Sequence, residues 1–378
     1  MTWKRRDFLR LLAASPTSFA TPLFTGSCGD AAAMDISGIL YGANKHSNGQ
    51  FHFGIMDIET GEASHIPIPQ RGHDATLHPN RPQIVLASRR PGRELYLCDI
   101  GRYTLHRRIS SPTERHFYGH TVFDLEGNFL YATENVFDEG DSPDLTPKYS
   151  RIGVYDVRNG YQRVRELETY GVGAHQLQFL SDGQTLVVAN GGIYTHPAYG
   201  RQKLNIENMD PSLVYINVET GELVAQHRLD DHQLSIRHLS VGANDAVVTG
   251  LQYEGPSHTE VPLLIRHQMN GIQPISPPQN SFQVLSNYIG GVAIHSINGR
   301  IAATSPRGGH AVFYESNGEY IGAIECMDVS GVAIVGAYFA LSTGTGDIHL
   351  VHAETLERRL TLKSPGVFWD NHLTAAPQ

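Results

Sequence analysis

Residues 174–183 read Ala174-His175-Gln176-Leu177-Gln178-Phe179-Leu180-Ser181-Asp182-Gly183, and the rest of the chain repeats their pattern. A histidine opens the stretch, apolar and polar residues then alternate, and a turn signal closes it. Alternation with a period of two indicates a β-strand with one buried face. Similar strand starts occur at seven places: Gly72-His73, Gly119-His120, Ala174-His175, Arg237-His238, Gly290-Gly291, Ser330-Gly331 and Asn371-His372.

Two kinds of turn separate the strands. One follows the strand starts, for example His78-Pro79-Asn80 and Ile297-Asn298-Gly299, and the other has the form Asp/Asn-x-x-x-Gly at residues 57–61, 156–160 and 217–221. Both are typical of tight hairpins. Successive starts lie between 40 residues (Gly291 to Gly331) and 63 residues (His175 to His238) apart, which leaves room for about four short strands each. Such periods predict an all-β fold, a seven-bladed β-propeller.

The two ends of the chain predict how the ring closes. Only six residues follow His372, whereas residues 39–68 contain strands with no start of their own. We therefore expect the C-terminal strand to join the N-terminal blade, which leaves no open sheet edge. Residues 34–378 would form this single domain; an open β-sandwich array is the alternative.

Composition narrows the functional classes. The 378 residues include 38 Gly and 20 Pro, which favours many turns over long helices. The net charge of −9 disfavours binding to a nucleic-acid backbone. Histidine is abundant, at 20 residues, and this abundance raises the question of whether the histidines converge.

The N-terminus is typical of an export signal. Arg5-Arg6 before Phe8-Leu9 predicts a twin-arginine signal peptide over residues 1–33, cleaved after Ala33, and a periplasmic mature chain. The apolar run that follows is too short and too interrupted by prolines to span a membrane, so no transmembrane span is expected in the mature chain. A lipid anchor on Cys28 is the alternative. Cys98 and Cys326 remain after cleavage, either free or paired.

The recurring histidines predict a metal site. In a propeller the first strand of each blade lines the central channel, so its starts meet at one mouth. We expect His73, His120, His175, His238 and His372 to converge there and bind a transition metal, copper or iron, because neutral imidazole suits such ions.

Polar residues in the neighbouring loops are expected at the same mouth. Glu134 or Asp370 would add an oxygen ligand or orient a ring. Arginines there fit a bound anion or carboxylate better than a metal. The full set is Arg90, Glu134, Asn190, His196, Arg237, Gln252, Arg307, Trp369 and Asp370.

A structural role is the alternative for the histidines. In some propellers a Gly-His at the blade start bonds to a turn within its own sheet, and each of the first four could do so. Arg89 and Arg90 could likewise bridge blades through acids. Ten further histidines are expected to be ordinary surface or rim residues: His46, His52, His65, His78, His106, His227, His232, His267, His349 and His352.

Three functions remain open from the residues alone. The sequence holds no nucleophile elbow, phosphate loop, His-Glu-x-x-His or haem-attachment motif. A non-enzymatic metal-binding or metal-delivery protein is slightly favoured. A metal-dependent oxidoreductase or lyase at the same mouth, and a scaffold that binds protein partners, are the alternatives. The identity of the metal, substrate and partner is left open.

Several motifs together carry a resemblance to a known family: Arg71-Gly72-His73, Ser88-Arg89-Arg90-Pro91-Gly92, Phe117-Tyr118-Gly119-His120, Thr133-Glu134-Asn135, residues 188–197, Lys203-Leu204-Asn205, residues 235–239, Gln252-Tyr253-Glu254-Gly255, residues 305–309 and Trp369-Asp370-Asn371-His372. With them the chain resembles the bacterial family catalogued as domain of unknown function 1513. The resemblance implies a periplasmic propeller with a twin-arginine signal. It also implies partners, since such proteins tend to be encoded beside imelysin-like and di-haem cytochrome-like proteins of iron or metal acquisition.

Overall fold

The computed structural model describes residues 36–140, 142–268 and 271–376. The expected signal peptide and Cys28 lie outside these residues. Within them, 29 strands form seven antiparallel sheets, each of which is one blade of a propeller.

The chain begins with three strands of the blade that closes the ring, called blade 7 here. Blades 1, 2 and 3 then follow with four strands each, innermost strand first. The strands are β1 (Ile39–His46), β2 (Phe51–Asp57), β3 (Ala63–Ile68); β4 (Gly72–Leu77), β5 (Gln83–Ser88), β6 (Glu94–Asp99), β7 (Thr104–Ser110); β8 (Arg115–Phe123), β9 (Phe129–Val136), β10 (Arg151–Asp156), β11 (Gln162–Glu168); β12 (Ala174–Phe179), β13 (Thr185–Asn190), β14 (Ser212–Asn217) and β15 (Leu223–His227).

Blades 4, 5 and 6 repeat this order, and two short strands end the chain. They are β16 (Leu234–Val241), β17 (Val247–Tyr253), β18 (Leu264–Gln268), β19 (Gly271–Pro274); β20 (Gly291–Ile294), β21 (Ile301–Ser305), β22 (His310–Tyr314), β23 (Tyr320–Glu325); β24 (Val329–Val335), β25 (Tyr338–Thr343), β26 (Asp347–His352), β27 (Arg358–Lys363); β28 (Val367–Trp369) and β29 (Thr374–Ala375). In the part of the chain that the structure describes, one short helix, α1 (Ser281–Leu285), and three 3-10 turns at Pro197–Tyr199, Ile206–Asn208 and Ala243–Asp245 lie in the connections.

The C-terminus closes the ring. Strands β28 and β29 both pair antiparallel with β1, with Asn44 opposite Trp369 and Tyr41 opposite Thr374. The innermost strands contact one another in the order β4, β8, β12, β16, β20, β24, β29, and β29 contacts β4 again. The predicted seven-bladed β-propeller, closed by the C-terminal strand in the N-terminal blade, is confirmed.

The apolar core lies between the blades rather than inside one of them. On β1, the neighbouring residues Leu40 and Tyr41 point to opposite faces of the sheet, as a strand requires. Leu40 packs with Leu350 of blade 6, and Tyr41 packs with Leu86 of blade 1. Inner and middle strands are therefore buried on both faces, which accounts for their nearly continuous apolar sequences.

The outermost strands protect the exposed sheet edges. Strand β7 is mostly exposed, carries Arg107 and Arg108, and has a register irregularity where it pairs with β6. Strand β11 carries Arg163 and Arg165 and is irregular in the same way. Charged side chains and bulges on an edge oppose pairing with another molecule.

The predicted Asp/Asn-x-x-x-Gly turns connect third strands to outermost strands, or β2 to β3 in blade 7. In residues 57–61 the Gly61 amide donates to the Asp57 carbonyl (2.9 Å), and the Thr60 amide donates to Asp57 Oδ1 (2.9 Å). Gly61 has φ +72°, a conformation that glycine adopts without steric cost.

Cys98 and Cys326, whose pairing the sequence left open, are both free and buried. None of the helices in the described residues has the length and apolar character needed to cross a membrane.

Candidate metal centre

Each histidine of the predicted site lies where an innermost strand departs from regular pairing. In β4, Gly72 pairs with Ser88 and Ala75 pairs with Leu86, so both His73 and Asp74 lie opposite a single residue. A β-bulge of this kind turns a side chain away from the usual alternation. The bulge is what directs His73 toward the channel.

The same irregularity recurs in the next three blades. Tyr118, Gly119 and His120 lie between the paired residues Phe117 and Thr121 of β8. His175 lies in an equivalent bulge of β12, and β16 shifts register between Ile236 and His238. Strands β8 and β16 begin at Arg115 and Leu234, earlier than the sequence suggested, because their pairing continues on both sides of the bulge.

His372 occupies the corresponding place in the closing blade. It lies in the gap between β28 and β29, where residues 370–373 leave the edge of β1. Five blades therefore each contribute one imidazole, named here the histidine cluster: His73, His120, His175, His238 and His372.

The structure brings all five rings together. Ring centroids lie 4.5 Å apart for His73 and His372, 4.6 Å for His120 and His372, and 4.8 Å for His175 and His238. Two triads have ligand atoms that all lie within 4.8 Å of one another, and either triad could hold a metal ion: His73, His120 and His175, and His120, His238 and His372.

Four ring nitrogens of the histidine cluster are buried and have no hydrogen-bond partner among the described residues. They are His120 Nε2, His175 Nδ1, His238 Nδ1 and His372 Nε2. A buried polar atom without a partner costs about 1–3 kcal/mol. An ion shared by these nitrogens would remove that cost.

Two other histidines have a structural role, but they bond to the neighbouring blade and not to a turn within their own sheet, as the alternative had it. His78 Nε2 contacts the Gly127 carbonyl oxygen at 3.0 Å, and His295 Nε2 contacts that of Gly336 at 3.0 Å. No ring in the histidine cluster makes such a contact with a carbonyl oxygen of the described chain. Its geometry therefore differs from that of a histidine that ties blades together.

Asp74 fixes the orientation of His120. Its Oδ2 lies 3.0 Å from His120 Nδ1. Burial alone would raise the pKa of Asp74, but the charge of His120 and this hydrogen bond lower the pKa below its usual value. An ionised Asp74 accepts the Nδ1 proton and leaves the Nε2 lone pair free for a ligand. The sequence analysis missed Asp74, although it directly follows Gly72-His73.

The other imidazoles of the cluster stay neutral at neutral pH. Burial, and then the neighbouring imidazoles and arginines, hold the pKa of His73, His175 and His238 well below 6.5. The same causes lower the pKa of His372 to about 3. Neutral imidazole is the form that coordinates a metal.

A small pocket, partly open to solvent, adjoins the histidine cluster. Arg89, Arg90, Arg201 and Arg237 line it together with Tyr118, and so do His73, His175 and His238. This space is named the arginine pocket here. Arg90 Nη1 donates to the Tyr118 hydroxyl at 2.6 Å.

Several of the expected polar residues lie at this pocket. Arg90, Arg237 and Gln252 line it, and the Arg307 guanidinium stacks 4.2 Å from the ring centroid of Tyr288, another lining residue. Asp370 lies beside it in ion pairs with Arg71 and Arg89, the latter at 2.8 Å. Through this pair, Arg89 bridges blade 1 to the closing segment.

Four others lie elsewhere. Glu134 is inside β9, where its carboxylate accepts from Tyr155 and Arg163 of its own blade. Asn190 Nδ2 donates to the Thr169 carbonyl at 2.9 Å. His196 Nε2 contacts the Asp138 carbonyl oxygen at 2.7 Å. Trp369 is buried in the core between blades 6 and 7. The structure does not bring these four side chains to the histidine cluster.

Tyr118, Arg201 and Tyr288 line the pocket but were not among the expected residues. Tyr118 directly precedes Gly119-His120, so its position next to a strand start was a usable signal. Arg201 and Tyr288 come from long connections between strands, where the sequence gives no indication of direction.

A second group of histidines lies in blade 7. The ring centroids of His46 and His52 are 3.8 Å apart, and those of His46 and His65 are 4.5 Å apart. Burial and the neighbouring His46 and His52 lower the pKa of His65 to about 4. The sequence predicts ordinary surface or rim residues at His52, His78 and His349, whereas all three are buried.

Fold and site together define a seven-bladed β-propeller with a five-histidine cluster inside one end of its ring. A family model matches residues 66–376, and the chain belongs to that family, described as "Protein of unknown function (DUF1513)".

Among solved structures, the chain is similar to hydrazine synthase of Kuenenia stuttgartiensis, with a TM-score of 0.58 and 11% sequence identity. The match covers 90% of this chain and 100% of that chain. At this identity the likeness shows the fold alone. No protein in the curated set matches the sequence.

Proposed function

We propose that this protein binds a divalent transition metal ion, copper or iron, at the histidine cluster. The observation that carries the proposal is the convergence of buried ring nitrogens without partners, within two triads whose ligand atoms lie within 4.8 Å of one another. Nitrogen donors suit these ions, whereas magnesium and calcium prefer oxygen ligands. Asp74 supports the proposal, because metal-binding histidines commonly donate their other ring proton to a carboxylate.

The proposed physiological role is iron or other metal acquisition in the periplasm. The protein would hold the metal there and pass it to neighbouring uptake proteins, imelysin-like and di-haem cytochrome-like. The Arg5-Arg6 motif and the resemblance to the family support this role.

A metal-dependent oxidoreductase or lyase is the second candidate. The arginine pocket favours it, because an anionic substrate in that pocket would lie next to the metal. Turnover of a substrate by the metal-loaded protein would separate an enzyme from a carrier. A scaffold that only binds proteins would retain no metal after purification from the native periplasm.

The metal site is tested by His120→Ala and His238→Ala. Each should weaken binding of Cu²⁺ or Fe²⁺ by about 10-fold or more, the scale seen even for groups that only support a ligand. The melting temperature without metal should change little for His238→Ala, because its Nδ1 has no partner to strand. It should fall for His120→Ala, because that change leaves the Asp74 carboxylate without its partner. Isothermal titration calorimetry and thermal unfolding on the same samples measure both quantities.

His295→Ala is the matched control. His295 is also buried, but its ring contacts the Gly336 carbonyl oxygen at the far end of its innermost strand. This variant should lose stability and keep its metal affinity. Wild-type protein that takes up no metal, together with an unstable His238→Ala variant, would overturn the proposal.

Periplasmic location by the twin-arginine route is tested by replacing both Arg5 and Arg6 with Lys. The double variant should accumulate in the cytoplasm, because the paired arginines are the part of the signal that the route reads. Cell fractionation and immunoblotting measure the distribution. Unimpaired export would point to the general secretion route instead.

A further inference from the structure

We propose that the arginine pocket binds a small oxyanion, a carboxylate or phosphate group, that completes the coordination of the metal on the histidine cluster. The inference rests on the proposed metal site and adds the class of ligand that this site takes together with the ion.

The first argument is an excess of positive charge. Four guanidinium groups line the pocket, from Arg89, Arg90, Arg201 and Arg237. No acid lines the pocket with them among the described residues, and the Asp370 carboxylate beside it is already shared by Arg71 and Arg89. Among the described residues, Arg90, Arg201 and Arg237 form no ion pair with an acid. The protein as a whole has a net charge of −9, so this concentration of cations is local.

The second argument is the burial of Arg237. Its side chain is 3% exposed, and its Nε has no hydrogen-bond partner among the described residues. It lies flat on Gly191, where an added Cβ would come within 3.1 Å of Nε. Removing a guanidinium from water is costly unless an anion pairs with it. The fork of N–H groups on arginine matches the two oxygens of a carboxylate or phosphate.

The third argument is the mutual repulsion of the cations. Burial, followed by the charges of Arg89 and Arg90, lowers the pKa of Arg201 to about 10. Arg90 donates to the Tyr118 hydroxyl at 2.6 Å, and Arg237 lines the same pocket as this pair. A bound anion would relieve this repulsion for all of these groups.

The fourth argument is position. His73, His175 and His238 line the same pocket as the arginines, so an oxyanion held there would lie next to the imidazoles of the cluster. One of its oxygens can then coordinate the metal while the others contact guanidinium groups. Metal and anion would each raise the affinity for the other by the same factor, because coupling between two sites is reciprocal.

Calorimetry with two probes tests the inference. Inorganic phosphate and malonate, a dicarboxylate, are titrated separately into metal-free protein and into Cu²⁺-loaded protein. At least one anion should bind, and more tightly to the loaded protein. It should also shift the visible d–d absorption of the bound copper, since a new oxygen ligand changes the ligand field. Binding of phosphate but not malonate would identify a phosphate group as the ligand, and binding of malonate but not phosphate would identify a carboxylate.

Two variants locate the site. Arg237→Gln and Arg90→Gln should each reduce anion affinity by about 10-fold or more, since each removes a charge-assisted contact. Arg300→Gln is the control for a changed net charge, because Arg300 pairs with Glu315 at the opposite end of β21 from Arg307. It should leave anion affinity unchanged. Thermal unfolding of each variant establishes that it is folded.

The outcomes separate this inference from the metal site itself. Copper binding that no anion affects, in either absorption or affinity, overturns the oxyanion ligand and leaves the metal site intact. Anion binding that depends on Arg237, in a protein that takes up no metal, overturns the joint coordination and the metal site together. Anion binding that persists unchanged in both Arg→Gln variants places the anion elsewhere and also overturns the inference.

Discussion

At the scale of single residues, the surroundings of each imidazole decide what it does. His78 and His295 are buried but satisfied by carbonyl oxygens, so each serves to tie parts of the ring together. In the histidine cluster four rings are buried and His372 is half-buried, yet these rings face one another. In the sequence, the structural histidines and the cluster histidines both occur next to turns and strand starts. Only the hydrogen bonds and ring contacts of each side chain in the folded protein distinguish the two groups.

The contact between Asp74 and His120 gives a prediction at this scale. Asp74→Asn should weaken binding of Cu²⁺ or Fe²⁺ by about 10-fold to 100-fold, because an amide no longer holds the Nδ1 proton and the orientation of the ring. The fold should remain. Calorimetric titration with the metal measures the change.

Asp156→Asn is its matched control. Asp156 lies in an outer hairpin turn and loses the same charge. Equal metal affinity in the two variants would show that Asp74 does not position His120.

The repeat predicted all five histidines of the cluster but only some of its polar neighbours. His73, His120, His175, His238 and His372 were recognisable because each occupies the same place in a repeat. Glu134 had the right chemistry, but Tyr155 and Arg163 on the two strands beyond β9 bind its carboxylate. Whether Glu134 can form these hydrogen bonds depends on which residues of neighbouring strands lie on the same face of the sheet. The strand register determines this, and the register cannot be read from residue identity.

At the scale of strands, bulges and glycines make room for the rings. Gly119 has φ +119°, and an added Cβ would lie 2.1 Å from His73 Cδ2. The bulge of β8 in blade 2 therefore packs directly against the His73 ring of blade 1, and a side chain larger than that of glycine at position 119 would clash with this ring. The glycine of Gly119-His120 thus has its own structural reason, which is the lack of space for a Cβ atom beside His73.

Gly119→Ala is the prediction for this element. The added methyl group should displace the His73 ring and weaken binding of Cu²⁺ or Fe²⁺ by about 10-fold or more. The positive φ should also cost stability, about 1–3 kcal/mol. Metal titration and denaturant unfolding measure the two effects.

Gly140→Ala separates them. Gly140 has φ +129°, but nothing lies within 4 Å of an added Cβ. This control should lose the stability associated with a non-glycine residue at positive φ and keep its metal affinity. Loss of affinity in both variants, or in neither, would contradict a specific role for the space beside Gly119.

At the scale of the whole molecule, closure of the ring and assembly of the site depend on the same segment. Strands β28 and β29 complete blade 7, and between them lie Asp370 and His372. The period of the repeat and the unmatched chain ends were enough to predict this closure. The sequence did not reveal that the closing strand is split in two, because the split depends on how residues 370–373 leave the edge of β1.

Blades 5 and 6 contribute no histidine, so the cluster is one-sided. At Gly291 an added Cβ would lie 2.9 Å from the Ser330 carbonyl oxygen, so these two inner strands approach each other too closely for a larger side chain. Close packing there lets the other five blades fill the channel with rings.

Removal of the closing segment is the prediction at this scale. A chain ending at residue 365 lacks β28 and β29, so the backbone groups along β1 that pair with them are exposed. It also loses Trp369 and Leu373, which pack with Leu40 between blades 6 and 7. The melting temperature should fall and aggregation should increase, because an unpaired apolar edge invites pairing with another molecule. Differential scanning calorimetry and light scattering measure both.

Two further variants show which feature of the closing segment accounts for the lower melting temperature. A chain that ends at Ala376 keeps both closing strands and should melt like the wild type. Full-length Trp369→Ala keeps the backbone pairing but leaves a cavity beside Gly42 and Gly54, whose faces the indole covers. It should lose about 3–5 kcal/mol, the range for truncating a buried aromatic residue. If the chain ending at residue 365 melted at the wild-type temperature, the ring would not depend on its C-terminus. If only the 365 chain aggregated while Trp369→Ala stayed monomeric, the exposed edge rather than the lost packing would be the cause.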